Sequence, residues 1–208
     1  MKAIIFCSGE IRDYEYLKNR DFDNCLIICA DGGLRHAEAL NIIPDVIIGD
    51  GDSYKGDFPQ NGNVIRYPSD KDFTDTNLCI DYALEKGYKE IEILGGLGGR
   101  RDQEFSHYCL MAYGLSKNIK IKMSDELNEI SMENKPFILK KGDKKYVSFF
   151  PYGGTVEGFS VKGLKYETEN MYLEPHLVQA SSNEFSNNDT AEITFKSGTL
   201  LVILSRDR

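Results

Sequence analysis

The sequence predicts an α/β protein in which a parallel-sheet N-terminal domain is followed by a C-terminal β-sandwich domain. In the first half, continuous apolar runs alternate with segments whose apolar residues recur at helical spacing, which is typical of a parallel sheet covered on both faces. In the second half, short strand-like runs are separated by glycine-bearing turns, without a long helical pattern. The change falls within residues 124–135. We therefore expect an α/β domain over 1–125 and a β-sandwich over 130–208.

The elements of the first domain follow from apolar runs and their stop signals. Its predicted strands are AIIFCSG, CLIICADGG, DVIIGD, NVIRYP, EIEILGG and IKIKM, and its predicted helices are LRHAEALNI, TDTNLCIDYALEKGY and EFSHYCLMAYGLSKN. In the second of these helices, Thr74 or Asp75 is placed to cap the first turn, and Gly87 to end the last one. In the second domain the predicted strands are FILKKG, YVSFFPYGG, VEGFSVKG, TAEITFKSG and TLLVILS.

Composition excludes several classes of protein. The net charge is -8 and no cluster of Lys and Arg stands out, so we expect no nucleic-acid partner. No apolar run approaches the roughly 20 residues that a membrane span needs, so we expect no membrane partner. The five cysteines form no CxxC pair, which favours reduced, buried thiols in a cytoplasmic protein.

Acidic residues collect at the ends of predicted strands and at the start of one predicted helix. The strand ends carry Asp31, Asp50, Asp52 and Asp102, and the helix start carries Asp72 and Asp75. Because ligands of open parallel sheets bind at the carboxyl ends of the strands, we expect several of these acids to meet at one edge of the sheet. Carboxylates there suit Mg²⁺, which prefers oxygen ligands from a few acids, water and substrate phosphate.

The segment Asp50-Gly51-Asp52 is the strongest of these clusters. Two carboxylates that flank a glycine are placed to chelate a hard cation, and Gly51 leaves room for a ligand between them. An ordinary Asp- and Gly-rich turn would have the same composition. The other acids predicted at the same sheet edge favour metal binding over a simple turn.

Two glycine-rich segments are candidates for phosphate binding. Gly32 and Gly33 follow a strand and open a helix, although a tight turn alone would also require glycine. The segment LGGLGGRR, residues 94–101, is more informative, because its glycines permit close backbone approach and its two arginines match phosphate oxygens. It is neither a Walker A loop nor a dinucleotide-binding fingerprint.

The sequence shows no covalent nucleophile. There is no GxSxG motif, and no Ser or Cys is arranged with a His in a recognisable pattern. His36 and His107 fall on predicted helices, which favours surface or packing roles for both. Phosphoryl transfer needs no such nucleophile, because metal ions, positive charge and positioning supply most of its catalysis.

Five motifs, in order along the chain, resemble those of the thiamine pyrophosphokinase family. They are ADGG (30–33), PDVIIGDGDS (44–53), DKDFTDTN (70–77), GGLGGRRDQ (95–103) and SSNEF (181–185). The resemblance implies an α/β domain followed by a β-sandwich domain, in a homodimer with active sites at the subunit interface. It implies Mg²⁺-dependent transfer of a diphosphate group from ATP to the hydroxyethyl oxygen of thiamine, giving thiamine diphosphate and AMP.

The same resemblance implies roles for individual residues. The metal ligands would be Asp50, Asp52 and Asp75, and these acids together with Arg100 would be catalytic. The nucleotide would contact Asp31, Gly32, Gly33, Lys71, Thr74, Gly99 and Arg100. Thiamine would contact Asp102, Gln103, Ser182 and Asn183. A general base, if one is used, would be Asp52, Asp75 or Asp102, and the sequence does not choose among them.

Two other functions are compatible with parts of the sequence. A diphosphokinase with another acceptor, such as a pterin, would keep the α/β half, but SSNEF and the β-sandwich argue against it. A module that senses a nucleotide or thiamine diphosphate without turnover would not need its full set of acids. Because acid clusters of this kind usually mark function, the sequence favours the enzyme.

Overall fold

The structure is a computed structural model, and it describes residues 1–18, 20–51, 63–67 and 72–208. The chain divides into two compact units, Met1–Glu126 and Leu127–Arg208, which we call the N-terminal unit and the C-terminal unit. The predicted fold class is confirmed, because the first unit is an α/β layer structure and the second is a β-sandwich.

Parallel strands form the sheet of the N-terminal unit. They are β1 (Lys2–Phe6), β2 (Cys25–Ala30), β3 (Val46–Gly49), β4 (Val64–Arg66), β5 (Glu90–Leu94) and β6 (Lys120–Ser124). Their order across the sheet is β6-β5-β1-β2-β3-β4, and every neighbouring pair is parallel. Strands β2 to β4 therefore lie on one side of β1, and β5 and β6 lie on its other side. Such a switch point leaves a crevice at the carboxyl ends of the strands, where α/β proteins bind ligands.

Helices cover both faces of this sheet. They are α1 (Glu15–Lys18), α2 (Leu34–Ala39), α3 (Asp75–Glu85) and α4 (Arg101–Ser116), and a 3₁₀ helix (Asp31–Gly33) precedes α2. Ile4 and Phe6 of β1 belong to one buried cluster with Leu17 of α1 and Leu34 of α2. Because strand residues alternate between faces, the buried Ile5 faces the other side of β1. The helix α3 packs against β1, β2 and β3.

Two helix starts determine where site residues lie. Thr74 caps α3, since its hydroxyl accepts a hydrogen bond from the backbone N–H of Asn77 at 3.3 Å. The helix α4 begins at Arg101, earlier than the apolar pattern predicts, so Asp102 and Gln103 lie in its first turn. A carboxylate in a first turn stabilises the helix, and Asp102 also accepts the backbone N–H of Gln103 at 2.9 Å.

No described helix has the length and apolar character needed to cross a membrane. All five cysteines are free thiols in the structure. Burial raises the pKa of the Cys7 thiol to about 12, which keeps that thiol protonated at neutral pH.

The C-terminal unit is built from two antiparallel sheets. Its strands are β7 (Asn128–Glu133), β8 (Phe137–Lys140), β9 (Tyr146–Pro151), β10 (Val156–Lys162), β11 (Thr168–Leu173), β12 (Ala180–Glu184), β13 (Thr190–Thr194) and β14 (Leu200–Ser205). Within the unit the strand orders are β12-β9-β14-β7 and β11-β10-β13-β8. A buried cluster shared by the two sheets includes Phe149 of β9 and Phe159 of β10, whose ring centroids are 5.3 Å apart.

Three strands of this unit have no counterpart among the predicted ones. Both β11 and β12 lie at the ends of their strand orders, and only one residue of each is fully buried. Edge strands of this kind carry little of the apolar signal on which the prediction depends. In β7, Ile130 and Met132 are buried and alternate with more exposed residues, a pattern that is present in the sequence but short.

Candidate active site

A cavity of about 610 Å³ lies at the carboxyl ends of the strands of the N-terminal unit. Its walls come from the loop after β1, the ends of β2 and β3, the start of α3, and the glycine-rich loop that leads from β5 into α4. The predicted site residues in this lining are Asp50, Thr74, Asp75, Gly99, Arg100 and Gln103. The structure therefore brings together six predicted residues from three separate segments of the chain, at the switch point of the sheet.

Asp31 supports the loop that carries Asp50. Its side chain is buried, and its carboxylate accepts the backbone N–H of Gly51 at 3.1 Å. Gly49 lets the two segments approach, because a Cβ there would lie 2.7 Å from the Cβ of Asp31. Asp31 also has a left-handed backbone, with φ of 44°, which is uncommon outside glycine. These contacts give Asp31 a supporting role beside Asp50.

Gly32 and Gly33 are buried and do not line the cavity, whereas their neighbour Ala30 does. A Cβ on Gly33 would lie 1.9 Å from the carbonyl oxygen of Phe6, so close packing against β1 already requires glycine there. Close packing against β1 therefore explains Gly33, and contact of Asp31, Gly32 and Gly33 with a nucleotide stays a prediction.

Thr74 and Asp75 are adjacent at the start of α3. Thr74 uses its oxygen as a helix-capping acceptor. Its hydroxyl can also donate one hydrogen bond to a group bound in the cavity. Asp75 is the first residue of the helix, where a negative charge is favourable. Helix capping thus explains locally why these two polar groups face the same cavity as Asp50.

Arg100 and Asp102 pair with each other at the start of α4. The guanidinium donates two hydrogen bonds to the carboxylate, Nε to Oδ1 at 3.1 Å and Nη2 to Oδ2 at 2.6 Å. This contact lowers the pKa of Asp102 below its ordinary value. Both side chains are mostly exposed, so the pair is weak and water-accessible. Arg100 lines the cavity, and Asp102 lies just outside its lining.

The loops after β1 and β5 are held in contact at the cavity wall. The backbone N–H of Gly9 donates to the carbonyl of Gly95 at 2.9 Å, and a Cβ on Gly9 would lie 2.2 Å from that oxygen. His36 lies beneath this contact. Its Nε2 donates to the carbonyl of Gly9 at 2.8 Å, and its Nδ1 accepts from the Tyr14 hydroxyl at 2.6 Å. Burial lowers the pKa of His36, which favours this neutral form.

Sequence reasoning missed several residues of the cavity. They are Cys7, Glu10, Arg35, Phe73, Thr76 and His107. Arg35 donates to the carbonyl oxygens of Ser8 and Gly9, which brings a second guanidinium to the cavity. Phe73, an exposed aromatic residue, also lines the cavity. Phe73 and Thr76 lie within the motif DKDFTDTN but were assigned no role, and no motif marks the other four. Arg35 lies on α2, whose apolar pattern predicts only a packing helix.

Two predicted site residues lie outside the described residues. They are Asp52, predicted as a metal ligand and catalytic acid, and Lys71, predicted to contact the nucleotide. Their roles stay predictions.

The predicted thiamine contacts Ser182 and Asn183 lie in the C-terminal unit, on β12. Ser182 is exposed and has a left-handed backbone, with φ of 55°, at an irregularity in the pairing of β12 with β9. Its backbone N–H donates to the hydroxyl of Ser148 at 2.9 Å. Strained positions of this kind cluster at functional sites, which supports a binding role for Ser182.

Asn183 is buried and clamps the backbone of Tyr166. Its Oδ1 accepts the N–H of Tyr166 at 3.0 Å and that of Glu184 at 2.9 Å, and its Nδ2 donates to the Tyr166 carbonyl at 2.8 Å. The ring of Tyr166 is exposed, with the ammonium of Lys165 at 5.4 Å from its centroid. Asn183 therefore has a framework role that the motif alone did not suggest, and its contact with thiamine stays a prediction.

We expect Asn183→Ala to lower the free energy of unfolding by about 1–3 kcal/mol, because it removes three hydrogen bonds between a buried side chain and the backbone of Tyr166 and Glu184. Urea unfolding measures this change. Asn188→Ala is the matched control, since Asn188 is exposed and its side chain donates to the nearby hydroxyl of Ser186. Equal stability of the two variants would show that the clamp contributes nothing.

Fold and cavity together define a class of protein. A cavity with acids, arginines and a glycine-rich loop, at the switch point of a parallel sheet, is the arrangement of an α/β enzyme that acts on a phosphorylated substrate. The β-sandwich that follows in the chain restricts this class to α/β enzymes that also carry a C-terminal β-sandwich.

Comparison with known proteins identifies the family within this class. The family model described as thiamin pyrophosphokinase, catalytic domain, matches residues 18–123, and that described as thiamin pyrophosphokinase, vitamin B1 binding domain, matches residues 136–200. The chain is 34% identical over 143 residues to a thiamine pyrophosphokinase of Bacillus subtilis, covering 68% of this chain and 66% of the relative. It is 26% identical over 170 residues to thiamin pyrophosphokinase 1 of Caenorhabditis elegans, covering 76% and 68%. These matches span about two thirds of the length of the curated relatives.

A solved structure agrees over the whole chain. The crystal structure of thiamine pyrophosphokinase from Bacillus subtilis superposes with a TM-score of 0.88 at 28% identity, covering 100% of both chains. The chain belongs to the thiamine pyrophosphokinase family. The family membership, fold and class of enzyme predicted from the five motifs are confirmed.

Proposed function

We propose that this chain transfers the β,γ-diphosphate group of ATP to the hydroxyethyl oxygen of thiamine, releasing AMP and forming thiamine diphosphate. In this reaction the hydroxyl oxygen of thiamine forms a bond to the β-phosphorus, the bond from that phosphorus to the oxygen bridging it to the α-phosphorus breaks, and the hydroxyl proton is lost. The observation that carries the proposal is the shared cavity of Asp50, Asp75 and Arg100, with the glycine-rich loop beside them.

The donor set fits Mg²⁺. Asp50 and Asp75 come from different elements, line one cavity and offer the hard oxygen ligands that this ion prefers. Among the described residues, no three His, Cys, Asp or Glu side chains gather closely enough to form a complete cage. Magnesium needs no such cage, because substrate phosphates and water fill its remaining positions. We propose Asp50, Asp75 and Asp52 as the ligands. When bound, the ion would neutralise charge on the phosphate oxygens.

The cationic and polar groups of the cavity are suited to the phosphates of ATP. Arg100 is exposed and its partner Asp102 lies at the solvent side, so a phosphate group can replace that carboxylate at little cost. Thr74 and the backbone around Gly99 supply neutral donors, and Lys71 is proposed as a further cation. Arg35, in the first turn of α2, adds a second guanidinium. Positioning by such fixed donors is the main source of catalysis in phosphoryl transfer.

Thiamine is proposed to contact Asp102, Gln103, Ser182 and Asn183. The first two lie at the start of α4, and the other two lie within the segment that matches the vitamin B1 binding domain. We therefore propose residues 1–125 as the nucleotide- and magnesium-binding domain and residues 130–208 as the thiamine-binding domain. Asp52, Asp75 and Asp102 all remain candidates for the base that accepts the hydroxyl proton.

We also propose that the protein is a cytoplasmic homodimer with its active sites at the subunit interface. The support is the family resemblance and the five free thiols, which suit a reducing compartment. Light scattering on the purified protein measures the molar mass: twice the 23.5 kDa of the chain is expected, and the mass of one chain would exclude the dimer.

A side-by-side acceptor assay tests the proposed function. Purified protein is incubated with ATP, Mg²⁺ and either thiamine or a hydroxymethyl pterin, and AMP is followed by chromatography. We expect AMP and thiamine diphosphate in equal amounts with thiamine, and no AMP with the pterin. AMP with the pterin alone would reassign the acceptor. Binding of ATP and thiamine without AMP would indicate a sensor in place of an enzyme.

A further inference from the structure

Three buried polar side chains form a hydrogen-bonded chain at the wall of the cavity. The Nδ1 atom of His107 lies 2.9 Å from the carbonyl oxygen of Gly96, and its Nε2 atom lies 3.4 Å from Oγ1 of Thr76. That oxygen lies 3.3 Å from Sγ of Cys7. All three side chains are buried, and all three residues line the cavity. We call Cys7, Thr76 and His107 the relay.

The direction of each hydrogen bond follows from its partners. A carbonyl oxygen only accepts, so Nδ1 of His107 carries a hydrogen. Burial lowers the pKa of His107 and favours the neutral ring, whose Nε2 is then an acceptor for the Thr76 hydroxyl. The Thr76 oxygen in turn accepts from the thiol of Cys7, which burial keeps protonated. Every polar hydrogen of the relay is therefore used.

The relay joins three of the segments that line the cavity. Cys7 begins the loop after β1, Gly96 lies in the glycine-rich loop after β5, and Thr76 follows Asp75 in the first turn of α3. Only glycine fits at position 96, because a Cβ there would lie 2.7 Å from Ile93 and 3.2 Å from Nδ1 of His107. The ring of His107 thus reaches the loop backbone directly.

We propose that His107, acting through Thr76 and Gly96, is a positioning residue that fixes the start of α3, with Asp75, relative to the glycine-rich loop. The inference rests on the proposed function of this cavity and adds to it a role for three neutral residues, of which Thr76 lies in the motif DKDFTDTN and the other two lie in no motif. Fixing two segments that line one cavity is the kind of positioning whose loss lowers kcat, since misplacement by about 1 Å costs up to about a hundredfold.

The kinetic test compares variants that cut the relay with one that keeps it. His107→Asn keeps a donor near Gly96 but removes the acceptor for Thr76, and Thr76→Val removes the hydroxyl with little change of shape. We expect each to lower kcat about tenfold while KM for thiamine stays within about twofold. Thr76→Ser keeps the hydroxyl and is expected to retain kcat within about threefold.

The matched control is Tyr113→Phe. Tyr113 also lies on α4, and its hydroxyl also bonds to α3, to Asp81 at 2.8 Å, but neither residue lines the cavity. We expect its kcat to stay within about twofold of wild type. If the relay variants keep kcat within twofold, or if their loss is no larger than that of Tyr113→Phe, the proposal fails and the relay only stabilises the fold.

A spectroscopic readout tests the relay without using activity. In ¹⁵N–¹H spectra of the imidazole rings at neutral pH, we expect His107 to be neutral with its hydrogen on Nδ1 and His36 to carry its hydrogen on Nε2. The His107 signals are assigned by their shift in Thr76→Val, and by their loss in His107→Asn where that variant folds. A charged ring, or a hydrogen on Nε2 of His107, would overturn the proposal even if His107→Asn does not fold.

The proposed enzyme activity and the positioning role of the relay can be tested separately. If the wild-type protein forms no thiamine diphosphate, the proposed function fails and the kinetic role of the relay fails with it, whatever the imidazole spectra show. If the wild type is active and the relay variants are equally active, only the positioning role fails.

Discussion

Asp75→Asn is expected to lower kcat at least about a hundredfold, because it removes one of the negative charges that hold the divalent cation against the phosphates. The side chain keeps its size and remains polar at the first turn of α3, and loss of the favourable carboxylate–dipole interaction costs the helix about 0.3–1 kcal/mol. The measurement is steady-state release of AMP with thiamine at saturating ATP and Mg²⁺. Asp50→Asn is expected to behave in the same way.

Asp81→Asn is the matched control for Asp75→Asn. Asp81 lies on the same helix, where it accepts hydrogen bonds from Asn77 and Tyr113 outside the cavity. We expect it to keep most of its activity. If Asp75→Asn keeps more than about a tenth of wild-type kcat, Asp75 is not a metal ligand in the reaction, and the acid cluster has another role.

The second large effect concerns stability and arises from Glu92, in the middle of β5. Its side chain is fully buried and receives hydrogen bonds from Lys2 at 2.5 Å, Arg20 at 2.6 Å and Ser124 at 2.5 Å. Lys122 lies 3.7 Å away. Burial alone would raise the pKa of Glu92, but Lys122, Arg20 and the hydrogen bonds outweigh it and lower the pKa from 4.5 to about 2.

We expect Glu92→Ala to lower the free energy of unfolding by about 3–5 kcal/mol, because it leaves the cations gathered around one buried carboxylate without that partner. Urea unfolding at neutral pH measures the loss. Glu90→Ala is the control, since Glu90 is exposed at the start of the same strand. A loss for Glu92→Ala no larger than that for Glu90→Ala would show that the buried cluster contributes no net stability.

The same carboxylate gives stability a defined pH dependence. Because the folded-state pKa of Glu92 lies below its unfolded value, the contribution is present above about pH 4.5 and is lost as the pH falls toward 2. A shift of this size corresponds to about 3 kcal/mol. The difference in unfolding free energy between wild type and Glu92→Ala is therefore expected to shrink over this range. A difference that stays constant down to pH 2 would contradict the assignment.

The sequence predicts the strands that are buried on both faces much better than it predicts those at the edges. Runs such as CLIICA and DVIIG have few alternatives to a covered parallel strand, and they form β2 and β3. The polar edge strands β11 and β12 were missed because half-exposed backbone pairing needs no apolar pattern. The irregular pairing of β12 with β9 at Ser182 involves a hydrogen bond to Ser148, a residue distant in sequence. A local sequence pattern therefore does not predict it.

The candidate site likewise contains some residues that the sequence predicts and others that only the structure reveals. Charged residues in short motifs, such as Asp50, Asp75 and Arg100, could be placed at one sheet edge from the predicted ends of strands and starts of helices. In the structure they share one cavity. Neutral groups such as Thr76 and His107 become site residues only through hydrogen bonds across α3 and α4. Packing likewise explains Gly33, which the motif had suggested as a nucleotide contact.

The central claim is that the cavity catalyses transfer of a diphosphate group in one step. The direct measurement is ³¹P NMR of purified protein with ATP, Mg²⁺ and thiamine. The account predicts that AMP and thiamine diphosphate grow together in a one-to-one ratio while ATP disappears, and that both products are lost in Asp75→Asn. Formation of ADP with thiamine monophosphate would contradict it, because the bond broken would then lie between the β- and γ-phosphates.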